Sequence, residues 1–184
     1  MTVNIALHAA SAIQSAFYGK DLKIESADFF DDLRDEARDN IGTEVDNACT
    51  YYSACMEIIN RYESEYGADA EDLADSGGAE FKASQWQEAM TRYASAIAYA
   101  AISAAVESEI DDLKEAYENL IETMPDDMEI PVTLETECIH GWAAHDRETA
   151  EGVCIWHRLE GEVEARAIHC GGFWLTATWT PERA

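Results

Sequence analysis

The sequence predicts an α+β protein, in which an acidic N-terminal helical domain with one long helix is followed by a small antiparallel β-sheet. Two observations carry this prediction. Up to Pro125, apolar residues recur at steps of three and four, which is the spacing of one helix face. After Pro125, four segments alternate with a period of two, which is typical of strands. We therefore predict two domains, residues 1–125 and residues 126–184.

The longest helical pattern covers residues 84–124. Ser84 followed by Gln87 fits a capping box at its start, and Pro125 cannot continue a helix at its end. A helix of this length is about 60 Å long. Its second half is densely acidic, since nearly all the outward positions of residues 107–122 are Asp or Glu.

Three shorter helices are predicted before the long one. Residues 5–18 carry an apolar stripe and form the first. The second lies between Asp28 and a break at Gly42, because glycine weakens a helix interior. The third begins at Thr43 and is closed by Gly67.

The strand-like segments of the C-terminal region read EIPVTLET, GVCIWHRL, EVEARAIH and FWLTATW. Gly152, Gly161 and the pair Gly171–Gly172 fall between them as turns. A domain of this size is short for independent stability, so we expect it to pack on the helical part.

Charge is the most unusual property of the composition. The 184 residues hold 38 acids and 12 bases, which gives a net charge of −26 and an isoelectric point near 4.2. Because 47% of the residues are hydrophobic, the chain can build a core and is not a disordered acidic tail. The negative charge repels phosphates, so we expect no binding to nucleic acid.

Two sequence features bear on location. No apolar run is long enough to cross a membrane, and the first residues lack the basic segment of a signal peptide. We therefore expect a cytoplasmic protein that has no membrane partner and whose five cysteines are thiols.

The sequence carries none of the common catalytic motifs. The P-loop, GxGxxG, GxSxG and HExxH patterns are missing. The helical part has a single histidine, His8, which excludes a di-iron bundle site that needs two Glu-x-x-His motifs. Acidic pairs occur throughout, so none is singled out as catalytic. We expect no enzymatic activity and no cofactor.

Cysteine and histidine cluster in the β region, which leaves a zinc site open as an alternative. The candidate ligands are Cys138, His140, Cys154, His157, His169 and Cys170. Thiolates and imidazoles suit zinc, but the usual CxxC pair is missing, and Cys154 and His157 point opposite ways within one strand. Buried thiols and half-buried rings are the simpler interpretation, and we predict no metal site.

The acidic helix faces also allow two interpretations. The charged face of a single helix is usually a solvated surface. Here three helices and the intervening loop carry the same sign, and acidic blocks of this size are usually interaction surfaces or disordered tails. The apolar periodicity argues against disorder. Helix neighbours three or four positions apart are about 5–6 Å from each other, so a rigid row of carboxylates resembles the charge spacing of a duplex and can occupy a groove that evolved for DNA.

Residues 28–122 resemble the phage T7-type overcome-classical-restriction (Ocr) family of anti-restriction DNA mimics. The resemblance rests on short segments in the same order: Asp32-Leu33-Arg34-Asp35, Asp46-Asn47-Ala48 followed by Tyr51-Tyr52, Asp75-Ser76-Gly77, and the acidic run from Glu107 to Glu122. Ocr-like proteins are homodimers whose carboxylates imitate a bent stretch of B-form DNA. They block type I restriction-modification enzymes and can also inhibit the BREX phage-defence system.

The resemblance implies a homodimeric inhibitor that acts in the host cell cytoplasm and occupies the DNA-binding groove of a basic defence protein. It implies that the following residues imitate phosphates: Asp28, Asp31, Asp32, Asp35, Glu36, Asp39, Asp46, Asp69, Glu71, Asp72, Asp75, Glu107, Glu109, Asp111, Asp112, Glu115, Glu118 and Glu122. This chain differs from the family in its alanine-rich long helix and in its β region, which the T7-type protein lacks.

A different class of protein fits the same composition. In a halophilic protein or an acidic adaptor, the charge would serve hydration or binding to a basic partner. Four lysines against eight arginines fit this alternative. A halophilic protein should unfold at low salt, where its self-repulsion is unscreened, whereas a phage inhibitor should stay folded near physiological salt.

Overall fold

The computed structural model describes residues 2–18, 20, 22–76, 86–124, 132–136, 154–158 and 164–179. The helices in these ranges are α1 (Ile5–Phe17), α2 (Phe29–Ala48), α3 (Tyr52–Ser76) and α4 (Trp86–Thr123). The strands are β1 (Lys23–Ile24), β2 (Val132–Glu135), β3 (Cys154–Arg158), β4 (Glu164–Cys170) and β5 (Phe173–Trp179). The predicted α+β class, with one long helix and a small antiparallel sheet, is confirmed.

The chain forms two compact units that are discontinuous in sequence. The first contains Met1–Ala16 and Asp35–Ser108, and the second contains Phe17–Arg34 and Glu109–Ala184. The C-terminal part of α4 therefore belongs to the same unit as the strands. The unit boundaries fall inside α1, α2 and α4, whereas the predicted division into residues 1–125 and 126–184 is a single cut after the long helix. That division stays a prediction.

Helix α2 is continuous through Gly42, so the predicted break there is wrong. Ile41 and Val45, on either side of it, are buried, and the apolar stripe that begins at Phe30 continues past the glycine in register. Gly42 itself is exposed, and an added Cβ there would meet no atom within 4 Å. Burial of the stripe outweighs the cost of one helical glycine, which is about 1 kcal/mol.

The chain leaves the helix at residues 49–51 instead. The Thr50 hydroxyl lies 3.0 Å from the carbonyl oxygens of both Asp46 and Asn47 and donates to them, which satisfies acceptors in the last turn of α2. Helix α3 follows and passes through Gly67, so the predicted helix end there is wrong as well. Both predicted helix ends are wrong for the same reason: a single glycine does not end a helix when the residues on either side of it favour helix formation.

Replacing Gly42 with alanine should stabilise the protein by about 0.5–1 kcal/mol, because alanine loses less backbone entropy in a helix than glycine does. The new methyl group meets no neighbour at this position. Urea unfolding followed by circular dichroism measures the change. A helix that broke at Gly42 would make the substitution neutral or destabilising.

Helix α4 holds 38 residues and is about 57 Å long. Its apolar stripe runs through Ile97, Ile110 and Leu120, all fully buried, as the periodicity predicts. At its end the Thr123 hydroxyl donates to the carbonyl oxygen of Leu120 at 3.1 Å. The helix thus stops just before Pro125, within one residue of the predicted end.

The strands form one antiparallel sheet in the order β1-β2-β5-β4-β3. Strands β2, β3 and β5 lie within predicted segments, and β4 extends one residue beyond its segment, to Cys170. The pattern does not predict β1, because two residues are too few to show a period of two. Ile24 of β1 pairs in register with Val132, and both are buried. On β5, the Phe173 ring meets the Phe17 ring at the end of α1 edge-on, with 5.6 Å between centroids.

The turn between β4 and β5 is formed by Gly171 and Gly172, as the sequence predicts. Gly171 has a φ of +56°, in the left-handed region that side chains disfavour. A Cβ on Gly171 would lie 1.5 Å from Oε1 of Glu109 on α4. Backbone conformation and close approach therefore both require glycine at this position.

Replacing Gly171 with alanine should lower the free energy of unfolding by about 2 kcal/mol, through backbone strain and displacement of the Glu109 carboxylate. Thermal and urea unfolding measure the loss. Gly172→Ala is the matched control, because a Cβ at Gly172 meets nothing within 4 Å. Equal losses in the two variants would show that the contact with Glu109 does not contribute to the requirement for glycine at position 171.

Candidate functional site: the acidic surface

The C-terminal part of α4, in the second unit, carries a row of exposed carboxylates, which we call the α4 row. It consists of Asp111, Asp112, Glu115, Glu118 and Glu122. The row spans about 16 Å of helix axis, so its five carboxylates are on average about 4 Å apart along the axis. One strand of B-form DNA carries one phosphate charge per about 3.4 Å. The linear charge density of the α4 row is therefore slightly lower than that of a single DNA strand.

Four carboxylates of the α4 row have no partner within the described part of the chain. Among the residues that the structure describes, no hydrogen bond or ion pair involves the carboxylates of Asp112, Glu115, Glu118 or Glu122. Lys114, the one base in this stretch, is half-buried and makes no ion pair with any of the described residues. A basic partner can therefore contact these four carboxylates without breaking an existing interaction.

Arg34 connects the acids of α2 and α4 in the second unit. Its Nη1 lies 2.6 Å from Oδ1 of Asp31 on the same helix, and its Nη2 lies 2.8 Å from Oδ1 of Asp111 on α4. The Arg34 side chain is only 17% exposed, whereas the two carboxylates are 63% and 69% exposed. The guanidinium thus lies deeper than the carboxylates and offsets part of their mutual repulsion.

Arg38 makes an equivalent connection in the first unit. Its Nη1 lies 3.0 Å from Oδ1 of Asp35, and its Nη2 and Nε donate to Oε1 of Glu107 on α4 at 2.8 Å and 3.1 Å. Of the acids predicted to imitate phosphates, Asp35 and Glu107 are therefore already paired with a base, as are Asp31 and Asp111.

Part of this pairing can be read from the sequence. The pattern Asp-x-x-Arg occurs twice in α2, at Asp31–Arg34 and at Asp35–Arg38, and this spacing brings the two side chains together on a helix. The contacts of the same arginines with α4 depend on tertiary packing, and no local pattern reports them. Arg34 and Arg38 are the residues of the acidic surface that sequence reasoning missed.

Glu109 differs from the other acids of α4. It is half-buried, and its carboxylate lies against the backbone of Gly171 at the β4–β5 turn. The carboxylate therefore contributes to the packing of the second unit and stands apart from the α4 row.

The other predicted acids belong to α2 and α3. Those that precede or lie on α2 are all exposed: Asp28, Asp32, Glu36, Asp39 and Asp46. Those that lie on α3 have side chains outside the described part of the chain: Asp69, Glu71, Asp72 and Asp75.

Glu44 is the one buried acid of α2. Its Oε2 lies 2.9 Å from Nδ1 of His8 on α1, and its Oε1 accepts a hydrogen bond from Asn47 at 3.3 Å. A buried carboxylate requires such partners. His8 thus has a structural contact within the first unit.

The zinc alternative is only partly covered by the described residues. Cys138 and His140, and the side chains of Cys154 and His157, lie outside them. The ring of His169 packs on Trp174, with 4.7 Å between ring centroids. In the part of the chain that the structure describes, no group of three or more His, Cys, Asp or Glu side chains could hold a metal ion.

Comparisons with protein-family models, with curated proteins and with solved structures found no match for this chain. Among the helices of the described ranges, none is long and apolar enough to span a membrane.

Replacing Arg34 with glutamine should lower the free energy of unfolding by about 1–2 kcal/mol at low salt, because Asp31 and Asp111 would lose their shared cation. Urea unfolding at two salt concentrations measures the loss. Arg92→Gln is the matched control, since it removes the same charge from an exposed pair with Glu88 within one helix. An exposed pair of this kind contributes about 0.3–0.5 kcal/mol, so Arg92→Gln should cost less stability than Arg34→Gln. Equal losses would mean that the net charge of the protein, and not the position of Arg34 between two helices, determines the loss of stability.

Proposed function

We propose that this protein is a DNA mimic that inhibits a bacterial defence enzyme by occupying its DNA-binding groove. The observation that carries the proposal is the charge density of the α4 row, which is close to that of a single DNA strand. The resemblance to Ocr suggests the target, a type I restriction-modification enzyme or a BREX complex. By the same resemblance, the proposed form is a homodimer and the proposed place of action is the host cell cytoplasm.

Binding in this mechanism is electrostatic and involves no chemical step. Arg and Lys side chains that contact DNA phosphates would contact carboxylates of the α4 row instead. Because the row lies on one continuous helix, the positions of its backbone are fixed before binding, so little conformational entropy is lost. The net charge of −26 would also steer the inhibitor towards a basic groove.

The pairing pattern supports an interaction surface over a surface that only attracts water. Hydration needs exposed charges but does not need them to be arranged in a row along one helix. In this chain, Arg34 and Arg38 contact acids on both α2 and α4, while four carboxylates of the α4 row have no partner among the described residues. Contacts that hold the helices together are thus separate from the charges that a partner could use.

The purified protein should displace a fluorescent DNA duplex from a purified type I restriction-modification methyltransferase, and added salt should weaken the displacement because it screens both partners. Fluorescence anisotropy measures both effects. Polyglutamate of similar total charge is the control for charge without a fixed arrangement, and it should compete less well. Unchanged DNA affinity at saturating protein would contradict the proposal.

Two variants that each lose four charges provide a second control. The first neutralises the unpaired acids through Asp112→Asn, Glu115→Gln, Glu118→Gln and Glu122→Gln. The second neutralises the paired acids through Asp31→Asn, Asp35→Asn, Glu107→Gln and Asp111→Asn. The first variant should lose most of the inhibition and keep its stability, and the second should lose stability with less effect on inhibition per folded molecule. Equal loss of inhibition would mean that total charge, and not its arrangement, is recognised.

The halophilic alternative is tested on the same protein without any target. A protein whose charge serves hydration should unfold as salt is removed, because its self-repulsion is then unscreened. The proposed inhibitor should stay folded at about 0.1 M salt, as judged by circular dichroism.

A further inference from the structure

The corner between α2 and α3 brings two cysteines together in the first unit. Cys49 directly follows α2 and its N–H still donates to the carbonyl oxygen of Val45 at 2.9 Å. Cys55 lies in the first turn of α3, and its N–H donates to the carbonyl oxygen of Tyr51 at 3.0 Å. The Cys55 thiol lies 3.6 Å from the carbonyl oxygen of Cys49 and donates to it, which places its sulfur beside the Cys49 residue.

The two thiols differ in their access to solvent. Cys55 is 1% exposed, whereas Cys49 is half-buried. A small molecule can therefore reach Cys49 first, while Cys55 is already in place beside it. One thiol can thus meet an oxidant, and the second lies where it can resolve the adduct.

We propose that Cys49 and Cys55 form a reversible disulfide across this corner when the protein meets a low-molecular-weight disulfide such as oxidised glutathione. The Cys49 thiolate attacks one sulfur of oxidised glutathione, which breaks its S–S bond and releases one glutathione thiolate. The Cys55 thiolate then attacks the Cys49 sulfur of the mixed disulfide and releases the second. Two protein thiols are oxidised, one glutathione disulfide is reduced to two thiols, and the two protein protons pass to the released thiolates.

The surroundings of Cys49 make its oxidation slow at neutral pH. Burial raises the pKa of the Cys49 thiol to about 11, a hydrogen bond with Ser95 on α4 acts in the opposite direction, and the Cys55 thiol and the Asp46 carboxylate raise the pKa further. Only about one thiol in ten thousand is then ionised at neutral pH. Because the thiolate is the attacking species, the rate of oxidation should rise about tenfold per pH unit below that pKa.

The disulfide would fix the turn between two helices. It would close the short loop from Cys49 to Cys55 and so restrict the unfolded chain. The oxidised protein should therefore melt about 5 °C higher than the reduced protein. This inference is independent of the proposed inhibition.

Peptide mapping of the full-length protein tests the proposal directly. Trypsin cuts after Arg38 and Arg61, so Cys49 and Cys55 fall on one peptide, and each of the other three cysteines falls on a different one. After incubation with oxidised glutathione at about pH 9, this peptide should have lost two hydrogens and should resist alkylation. Reduction should restore two alkylatable thiols. A peptide that is still alkylated at both positions would overturn the proposal.

Cys55→Ala identifies the order of the two steps. In this variant the reaction should stop at one glutathionyl group on Cys49, because no second thiol lies beside it. In Cys49→Ser, the buried Cys55 should stay unmodified. Wild-type protein that stops at the mixed disulfide would show that the two sulfurs cannot bond, and the proposal would be wrong. If Cys55→Ala does not fold, the melting temperatures of oxidised and reduced wild-type protein test the proposal instead. Equal melting temperatures would contradict the formation of a disulfide-closed loop.

Discussion

The fold depends on holding two helices of like charge side by side. Two carboxylates about 6 Å apart in water repel each other by about 0.7 kcal/mol. Burying one large apolar side chain gains about 1.5–3 kcal/mol. In the second unit, the rings of Phe30 on α2 and Tyr117 on α4 lie 5.5 Å apart, and each apolar stripe is almost entirely removed from solvent. Apolar burial therefore exceeds the repulsion, and the arginine contacts add to it where the acids of α2 and α4 approach most closely.

This balance determines which acids can serve a partner. A carboxylate that already shares a guanidinium, such as Asp111 with Arg34 or Glu107 with Arg38, would have to exchange one base for another on binding. The net gain from such an exchange is small, because the pair that is lost resembles the pair that forms. Asp112 and Glu115 have no such contact among the described residues and gain the whole interaction. A useful mimic thus needs charges that its own scaffold does not neutralise.

Periodicity determined how much of the fold could be predicted. Helix α4 and the four longer strands follow patterns that repeat over many residues, and their positions are correct. The breaks expected at Gly42 and Gly67 are wrong, because one glycine costs a helix only about 1 kcal/mol and, at Gly42, the buried apolar stripe continues past it. Strand β1 is too short to carry a pattern and exists because Ile24 pairs with Val132, far along the chain.

The candidate site shows the same limit. Its acids are visible in composition and spacing, but their pairing is not, since Arg34 and Arg38 each find their second partner about 70 or more residues away. The half-buried position of Glu109 is equally non-local, because it depends on the approach of Gly171. Sequence therefore supplies the charges of a surface, whereas tertiary packing decides which of them are accessible.

An electrostatic surface and its scaffold respond to mutation in opposite ways. In the proposed inhibition, the interaction with a basic groove would be spread over many carboxylates, so the loss of one charge would change the binding free energy by only a small fraction. The contacts that hold the surface in place are few and specific: one left-handed glycine at position 171, and one arginine between two helices at position 34. In an enzyme the residues that tolerate substitution least include those that do the chemistry. In the proposed mimic, the residues that tolerate substitution least would be those that hold the acidic helices in place. The partner would recognise the arrangement of the charges, and these residues fix that arrangement.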